Sequence, residues 1–326
     1  MRAILIDKPG AEDVMHLGEV PAPVLAPGEL RLRVAAAAVN RADLMQRQGF
    51  YPPPPGASPI LGMECAGTVS EVAAGVSGWK VGDRAMALLA GGGYAEEVVV
   101  PAVCVMHVPA RLSLEEAAAL PEVALTVFLN VFQLGALPEG GWALVHGGGS
   151  GIGTASIQMV KLAGGHILVT AGSDEKCQKC LALGADRATN YRTGDFEAEA
   201  KAATGGRGVD VVLDSIGASY FAKNLASLAI GGRLVLIGLM GGAKTEVGLA
   251  ELLMRRLSVI GSTLRGRSVA EKGAIVMGFL ERFSAALEDG RLRAVVDRVL
   301  PLAQAPEAHR IMKASEHFGK IVLSMA

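Results

Sequence analysis

A chain of 326 residues exceeds what a single hydrophobic core usually serves, so two domains are expected. Apolar residues make up 51% and charged residues 19%, which leaves no compositional case for disorder. Lys and Arg total 31 against 32 Asp and Glu, so no global field attracts polyanions or anionic lipid, and nucleic acid is not an expected partner.

The opening MRAILIDKPG reaches Asp7 and Lys8 after an apolar run too short for a signal-peptide core, so export is not expected. Gly, Pro or a charge interrupts every hydrophobic run before about 18 residues, which excludes a transmembrane helix. Cys65, Cys104, Cys177 and Cys180 do not make a disulfide framework in so long a chain, and a cytoplasmic address is the simplest expectation.

The first 110 or so residues are β-rich, with strands expected at RAILID and ELRLRVAAAAV on either side of the Pro-rich VPAPVLAPGE. Pro52 to Pro55 follow Tyr51 and should form a stiff extended loop that holds it. Ser113 with Glu116 is a capping-box pattern, so EEAAALP continues as a helix toward Pro121.

Beyond Trp142 come apolar runs of strand length: WALVHG, HILVTAG, DVVLDSIG, GRLVLIG and SVIGST, with the weaker RATNY after the second. Between them TASIQMVKLAGG, DEKCQKCLALGA and SYFAKNLASLAIGG read as helices. This alternation predicts an α/β, doubly wound parallel sheet of Rossmann type. After Arg265, AEKGAIVMGFLERFSAALEDG is helical, and RAVVDRVLPL and GKIVLSMA are strands expected to return to the first domain. The division is therefore 1–121, 122–264 and 265–326, the first and last parts forming one domain.

The strongest chemical signal is strand, HGGGSGIGT, then helix: glycines admit a pyrophosphate to the backbone, and the free amides at the helix start bind its charge. The fit to G-x-G-x-x-G is imperfect, because the register Gly148, Ser150, Gly153 puts serine in the middle. An NAD-preferring site carries an acid about 20 residues further on; here Gly172 stands there, followed by Ser173 and Lys176, with Tyr191 and Arg192 after the next strand. Those donors suit a 2′-phosphate, so NADPH is favoured over NADH. Asp174 and Glu175 are expected to stabilise the start of their helix.

NRADLMQRQGFYPPPPGASPILGMECAGTV, GWKVGDRAMAL, HGGGSGIGTASIQM and GVDVVLDSIG together resemble the quinone oxidoreductase branch of the medium-chain dehydrogenases/reductases, most of all its tumour-suppressor-induced, zeta-crystallin-like members. The likeness runs from RAILIDKPG to GKIVL, with the motifs in the expected order. It implies a GroES-like catalytic domain interrupted by the Rossmann domain, and a homodimer through the edge strand SVIGST. It places the phosphate loop on Ser150, Gly151, Ile152 and Gly153 and the 2′-phosphate contacts on Ser173, Lys176 and Tyr191. It further implies cofactor-lining backbone at Ile216, Gly238, Leu239, Met240 and Leu264, and substrate-pocket positions at Asn40, Asp43 and Tyr51.

No zinc is expected: Met63 stands where zinc-dependent relatives have the histidine of G-H-E, and there is no four-cysteine lobe. Cys177 and Cys180 fall in a predicted helix without a second ligand pair, and His146 ends an apolar strand, so structural roles are expected for all three. No nucleophile motif is present, and reduction of a quinone or enone by hydride needs none. The protein must add orientation, a dry pocket and a donor for the oxygen that becomes negative; Tyr51, Asn40 and Asp43 are the catalytic candidates, and Tyr51 is expected to hydrogen-bond the acceptor oxygen. An enoyl or alkenal reductase on the same fold is the alternative, and a cofactor-gated binding protein with little catalysis is the second.

Overall fold

The computed structural model describes residues 1–325. The chain divides into two compact units: Met1–Leu125 together with the segment from Leu264 onward, and Thr126–Thr263. The unit boundaries thus fall at Leu125/Thr126 and Thr263/Leu264, against 121/122 and 264/265 from the sequence, and Leu264 groups with the first unit.

The first unit is built on a seven-stranded sheet in the order Val296–Pro301, Lys320–Ser324, Glu29–Ala38, Glu64–Val72, Arg84–Leu88 and Val105–His107, with Glu97–Pro101 also paired to Glu29–Ala38. Most pairings are antiparallel, and the two tail strands enter by the pairing of Val322 with Ala38. Alternation along Glu29–Ala38 sends Leu30, Leu32 and Val34 into a core shared with Ile4, Leu61, Val98 and Ile321. A short helix, Arg41–Arg47, follows that strand and leads to Tyr51. The polyproline segment after it carries no regular structure, as the missing amide donors require. Ser113 and Glu116 form the expected capping box, at 3.1 and 3.0 Å.

In the second unit six strands, β1 (Trp142–His146), β2 (His166–Ala171), β3 (Arg187–Asn190), β4 (Val209–Asp214), β5 (Leu228–Leu236) and β6 (Ser258–Gly261), make one parallel sheet ordered β3-β2-β1-β4-β5-β6. The order reverses between β1 and β4, so the carboxyl ends of these strands flank a switch point. The crossover helices are α1 (Gly151–Leu162), α2 (Asp174–Ala182), α3 (Phe196–Ala203), α4 (Phe221–Ser227) and α5 (Leu249–Arg255). Leu228 to Gly232, read from sequence as the end of a helix, instead opens β5: Leu228 is extended and pairs with Val209, which ends α4 at Ser227. A π-helix at Phe128–Leu134, which no period in the sequence announced, packs on β4 and β5.

Candidate functional site

The loop between β1 and α1 is shaped by serine and glycine together. Ser150 caps α1, its Oγ accepting the Gly153 amide at 3.0 Å, while helix geometry leaves the Gly151 and Ile152 amides without intrahelical acceptors. Gly153 is needed for close approach: a Cβ there would lie 2.3 Å from the Gly147 carbonyl oxygen and 2.5 Å from Gly148 Cα. The result is an anion-ready helix start at the end of a central strand.

Next to it, the ends of β2 and β3 bring Gly172, Ser173, Lys176 and Tyr191 together. Ser173 caps α2 by accepting the Lys176 amide at 3.2 Å, and the Tyr191 amide bonds the Ala171 carbonyl at 3.0 Å. The Tyr191 hydroxyl fills the space over Gly172, where a Cβ would meet it at 2.6 Å. Asp174 accepts from Asn190 Nδ2 at 2.8 Å and Glu175 pairs with Lys179 at 2.7 Å, so both acids are engaged within the α2 and β3 region. Arg192 is exposed at the end of the same turn.

The turn after β4 is tied to the turn after β5. Asp214 accepts the Ile216 and Gly217 amides at 2.6 and 3.1 Å, the Gly241 amide bonds the Ile216 carbonyl at 2.6 Å, and the Met240 amide bonds Ser215 at 3.2 Å. This fixes Ile216, Gly238, Leu239 and Met240 as one rim, with Leu239 and Met240 exposing more than half of their apolar surface. Leu264, expected in the same lining, is buried in the first unit.

Behind this rim His146 is a core histidine. Asn224 Oδ1 can only accept, so Nε2 donates to it at 2.7 Å, and Nδ1 accepts from the Thr170 hydroxyl at 3.1 Å; Asn224 Nδ2 then donates to Asp214 at 3.0 Å. Burial pushes the imidazole down to about 4. The unfolded imidazole takes a proton near its ordinary 6.5 while the folded one resists until about 4, so His146 costs the fold stability as pH falls through that window. Urea midpoints should decline between those pH values for this reason, and His146→Gln should show a flatter slope; an unchanged slope would count against the assignment.

In the first unit two buried polar networks surround Asn40 and Asp43. Lys320 Nζ donates to Glu64 Oε1 at 2.7 Å, Asn40 Oδ1 at 2.6 Å and the Val39 carbonyl at 2.9 Å, which satisfies all three of its protons. Glu64 also accepts from Asn40 Nδ2 and from the Glu122 amide, both at 2.9 Å. Asp43 accepts the Asn40 amide at 2.8 Å, the Gly62 amide at 3.1 Å and the Tyr94 hydroxyl at 3.2 Å. Burial lifts this carboxyl to about 6 against those donors and Lys320.

Beyond Tyr94 the chain of bonds continues through His309 Nε2 at 3.2 Å, and His309 Nδ1 meets Arg47 at 3.1 Å. A guanidinium only donates, so Nδ1 accepts, Nε2 carries the proton, and Tyr94 passes its own toward Asp43. Burial and Arg47 hold His309 down to about 3.

Among the three expected substrate-pocket residues, Asn40 and Asp43 therefore spend their polar atoms on structural partners. The Tyr51 hydroxyl has no hydrogen-bond partner among the described residues. Its ring is stacked by the Arg265 guanidinium, 5.3 Å from the centroid. Sequence reasoning passed over Arg265, Glu64, Lys320, Tyr94 and His309, which carry these networks. Glu64, beside Met63 in GME, and Lys320, in GKIVL, lay within segments singled out in the sequence, but neither carried a local sign of its partner.

Met63 is buried, and among the described residues no group of three or more His, Cys, Asp or Glu side chains comes together as a metal site would require. No helix among the described residues is long and apolar enough to cross a membrane.

The alcohol dehydrogenase GroES-like domain matches residues 26–110, and the zinc-binding dehydrogenase domain matches residues 151–279. The human synaptic vesicle membrane protein VAT-1 homolog is 32% identical over 339 residues, covering 99% of this chain and 86% of that protein. The chain belongs to the medium-chain dehydrogenase/reductase superfamily. Another relative is a phenolphthiocerol/phthiocerol polyketide synthase of Mycobacterium tuberculosis, 32% identical over 98% of this chain. The chain spans 14% of the length of that synthase.

Among solved superfamily structures, Escherichia coli quinone oxidoreductase complexed with NADPH is 29% identical at a TM-score of 0.89, covering 99% of this chain and all of that one. An NAD-dependent alcohol dehydrogenase is 33% identical at 0.87 over the full length of both chains. CurK enoyl reductase is 29% identical at 0.87, covering 100% of this chain and 99% of that one. The superfamily assignment gives this chain a mixed GroES-like and Rossmann architecture.

Proposed function

We propose that this chain is a zinc-independent, cytoplasmic oxidoreductase that uses NADPH to reduce a quinone or a similar conjugated carbonyl. The observation that carries the reading is the corner at the end of β2, where Gly172 stands in the place of a ribose-gripping acid and Ser173, Lys176 and Tyr191 gather around it. The Gly151 and Ile152 amides with Ser150 would hold the diphosphate, Gly153 would let the chain approach it, and Ser173, Lys176 and Tyr191 would hold the 2′-phosphate. Ile216, Gly238, Leu239 and Met240 would line the remainder.

When bound, NADPH supplies the hydride. Tyr51 donates a hydrogen bond to the acceptor oxygen as negative charge gathers there, and its unpartnered hydroxyl supports that role. Asn40 and Asp43 hold the start of the helix that leads to Tyr51. The Escherichia coli quinone oxidoreductase complexed with NADPH, among the similar structures, supports the acceptor class.

Two measurements test this. Direct titration should show Lys176→Ala losing about tenfold in NADPH affinity while NADH affinity holds. Gly172→Asp should move preference toward NADH, because its Cβ displaces the Tyr191 hydroxyl and an acid faces the ribose. An unaltered cofactor preference in both variants would sink the phosphate-clasp reading.

The second reading is an enoyl or alkenal reductase, favoured by the likeness to CurK enoyl reductase and to polyketide synthases. Parallel NADPH oxidation assays with benzoquinones and with enones or enoyl thioesters separate the two. NADPH binding without turnover of any acceptor would favour a binding role instead.

The chain is further proposed to form a homodimer through β6. That strand pairs with β5 alone among the described strands, and α5 just before it exposes Leu249, Leu253 and Met254.

A further inference from the structure

We propose that Arg265 is a positioning residue for Tyr51, fixing its ring and favouring hydrogen-bond donation from its hydroxyl to an oxygen that is gaining negative charge. The inference rests on the reading of Tyr51 as the donor.

Arg265 is the second residue of the returning segment of the first unit and is buried, with 5% of its surface exposed. Its guanidinium ties three separate pieces of chain: Nε donates to the Ala90 carbonyl at 2.7 Å, one terminal nitrogen to Gln46 Oε1 at 2.6 Å and the other to the Tyr51 carbonyl at 3.3 Å. Every one of these acceptors is neutral. A buried cation with no carboxylate in contact is costly, and here the adjacent feature is the face of the Tyr51 ring, 5.3 Å from the guanidinium carbon.

That placement does two things. The fork anchors the backbone on which Tyr51 sits and the helix residue Gln46 that precedes it, so the ring has a fixed base. The positive charge over the π-face stabilises electron density pushed onto the phenol oxygen as its proton is shared with the acceptor. Burial makes the Tyr51 hydroxyl harder to ionise, Arg265 acts in the opposite direction, and Glu122 acts with burial. Asp43 and Lys272 also lie within electrostatic reach of Arg265, so neither is altered in the test.

Tyr51 ionisation can be followed by tyrosinate ultraviolet absorbance, subtracting the Tyr51→Phe counterpart of each enzyme to isolate it from the other tyrosines. Arg265→Met should raise the Tyr51 midpoint and lower kcat about tenfold, with the KM for NADPH within about twofold of wild type. Added to Tyr51→Phe, Arg265→Met should cost little more, because its effect runs through the phenol. An unmoved midpoint, or losses that add in full, would overturn the proposal. Should Arg265→Met not fold, Arg265→Lys carries the same test: it keeps charge without the fork, so kcat should fall while the midpoint stays near wild type. Unchanged kcat in a folded Arg265→Lys enzyme would overturn it too. Turnover unaffected by Tyr51→Phe alone would instead remove the donor reading beneath it, a separate result from a separate variant.

Discussion

Lys320→Met should lower the stability of the protein by about 3–5 kcal/mol, a fall in Tm on the order of 10 °C. The substitution leaves Glu64, which is fully buried, facing an apolar side chain in place of an ammonium 2.7 Å away. It also strips a donor from Asn40 Oδ1 and from the Val39 carbonyl. Desolvation of an unpaired buried carboxylate is the dominant cost, and the two lost bonds from the ammonium to neutral acceptors add to it.

The cause can be separated from simple loss of packing by adding Glu64→Gln, which removes the second charge and keeps an acceptor for Asn40 and for the Glu122 amide. The double variant should recover about 1–2 kcal/mol over Lys320→Met alone, measured by urea unfolding. A double variant as unstable as the sum of the two single changes would show that the charges are not coupled.

This pair sits beneath the site because Asn40 begins the helix that leads to Tyr51. The buried Arg47–His309–Tyr94–Asp43 chain reaches the same helix start from the other side, so two networks converge on one turn. Such fully satisfied networks rigidify what they touch, which suits the proposal that the half-buried Tyr51 is held in place as a hydrogen-bond donor.

The parts of this molecule that were legible in the sequence share a physical reason. The strands of the parallel sheet are buried on both faces, so Ala143, Leu144 and Val145 or Ile167, Leu168 and Val169 read as continuous apolar runs. The turn at Ser150 and Gly153 could be placed because a capping serine and a closely packed glycine recur at a set spacing where a strand passes into a helix. The helix α3 escaped notice because only Phe196 and Ala200 are buried on it, too few to set a period. Leu228 and Ala229 were assigned to the preceding helix because apolar residues before a glycine pair suit either state; pairing with Val209 decides it.

The substrate side was less legible for a different reason. Lys320 meets Glu64, and Arg265 meets Tyr51, across long stretches of chain, and nothing local distinguishes a lysine destined for burial from one bound for solvent. Tertiary structure alone creates these partners, so the sequence offers Tyr51 as a candidate and stops short of what holds it.

Gly153→Ala should be the most damaging single change to the cofactor half, weakening NADPH binding by more than about tenfold and costing about 1–3 kcal/mol of stability. The three nearest atoms to the added methyl are Gly147 O at 2.3 Å and Gly148 Cα and O at 2.5 Å, all of them backbone, so no side chain can rotate away. Relief requires α1 to slide from the turn before it, which misaims the Gly151 and Ile152 amides and stretches the 3.0 Å cap to Ser150. Ser150→Ala makes an informative comparison: it deletes that cap, worth about 1 kcal/mol, and leaves the helix where it is. If close approach of the backbone is what builds the site, Gly153→Ala must weaken NADPH binding well beyond Ser150→Ala, as isothermal titration would report. The reverse order would assign the anion site to the serine hydroxyl and not to the helix start.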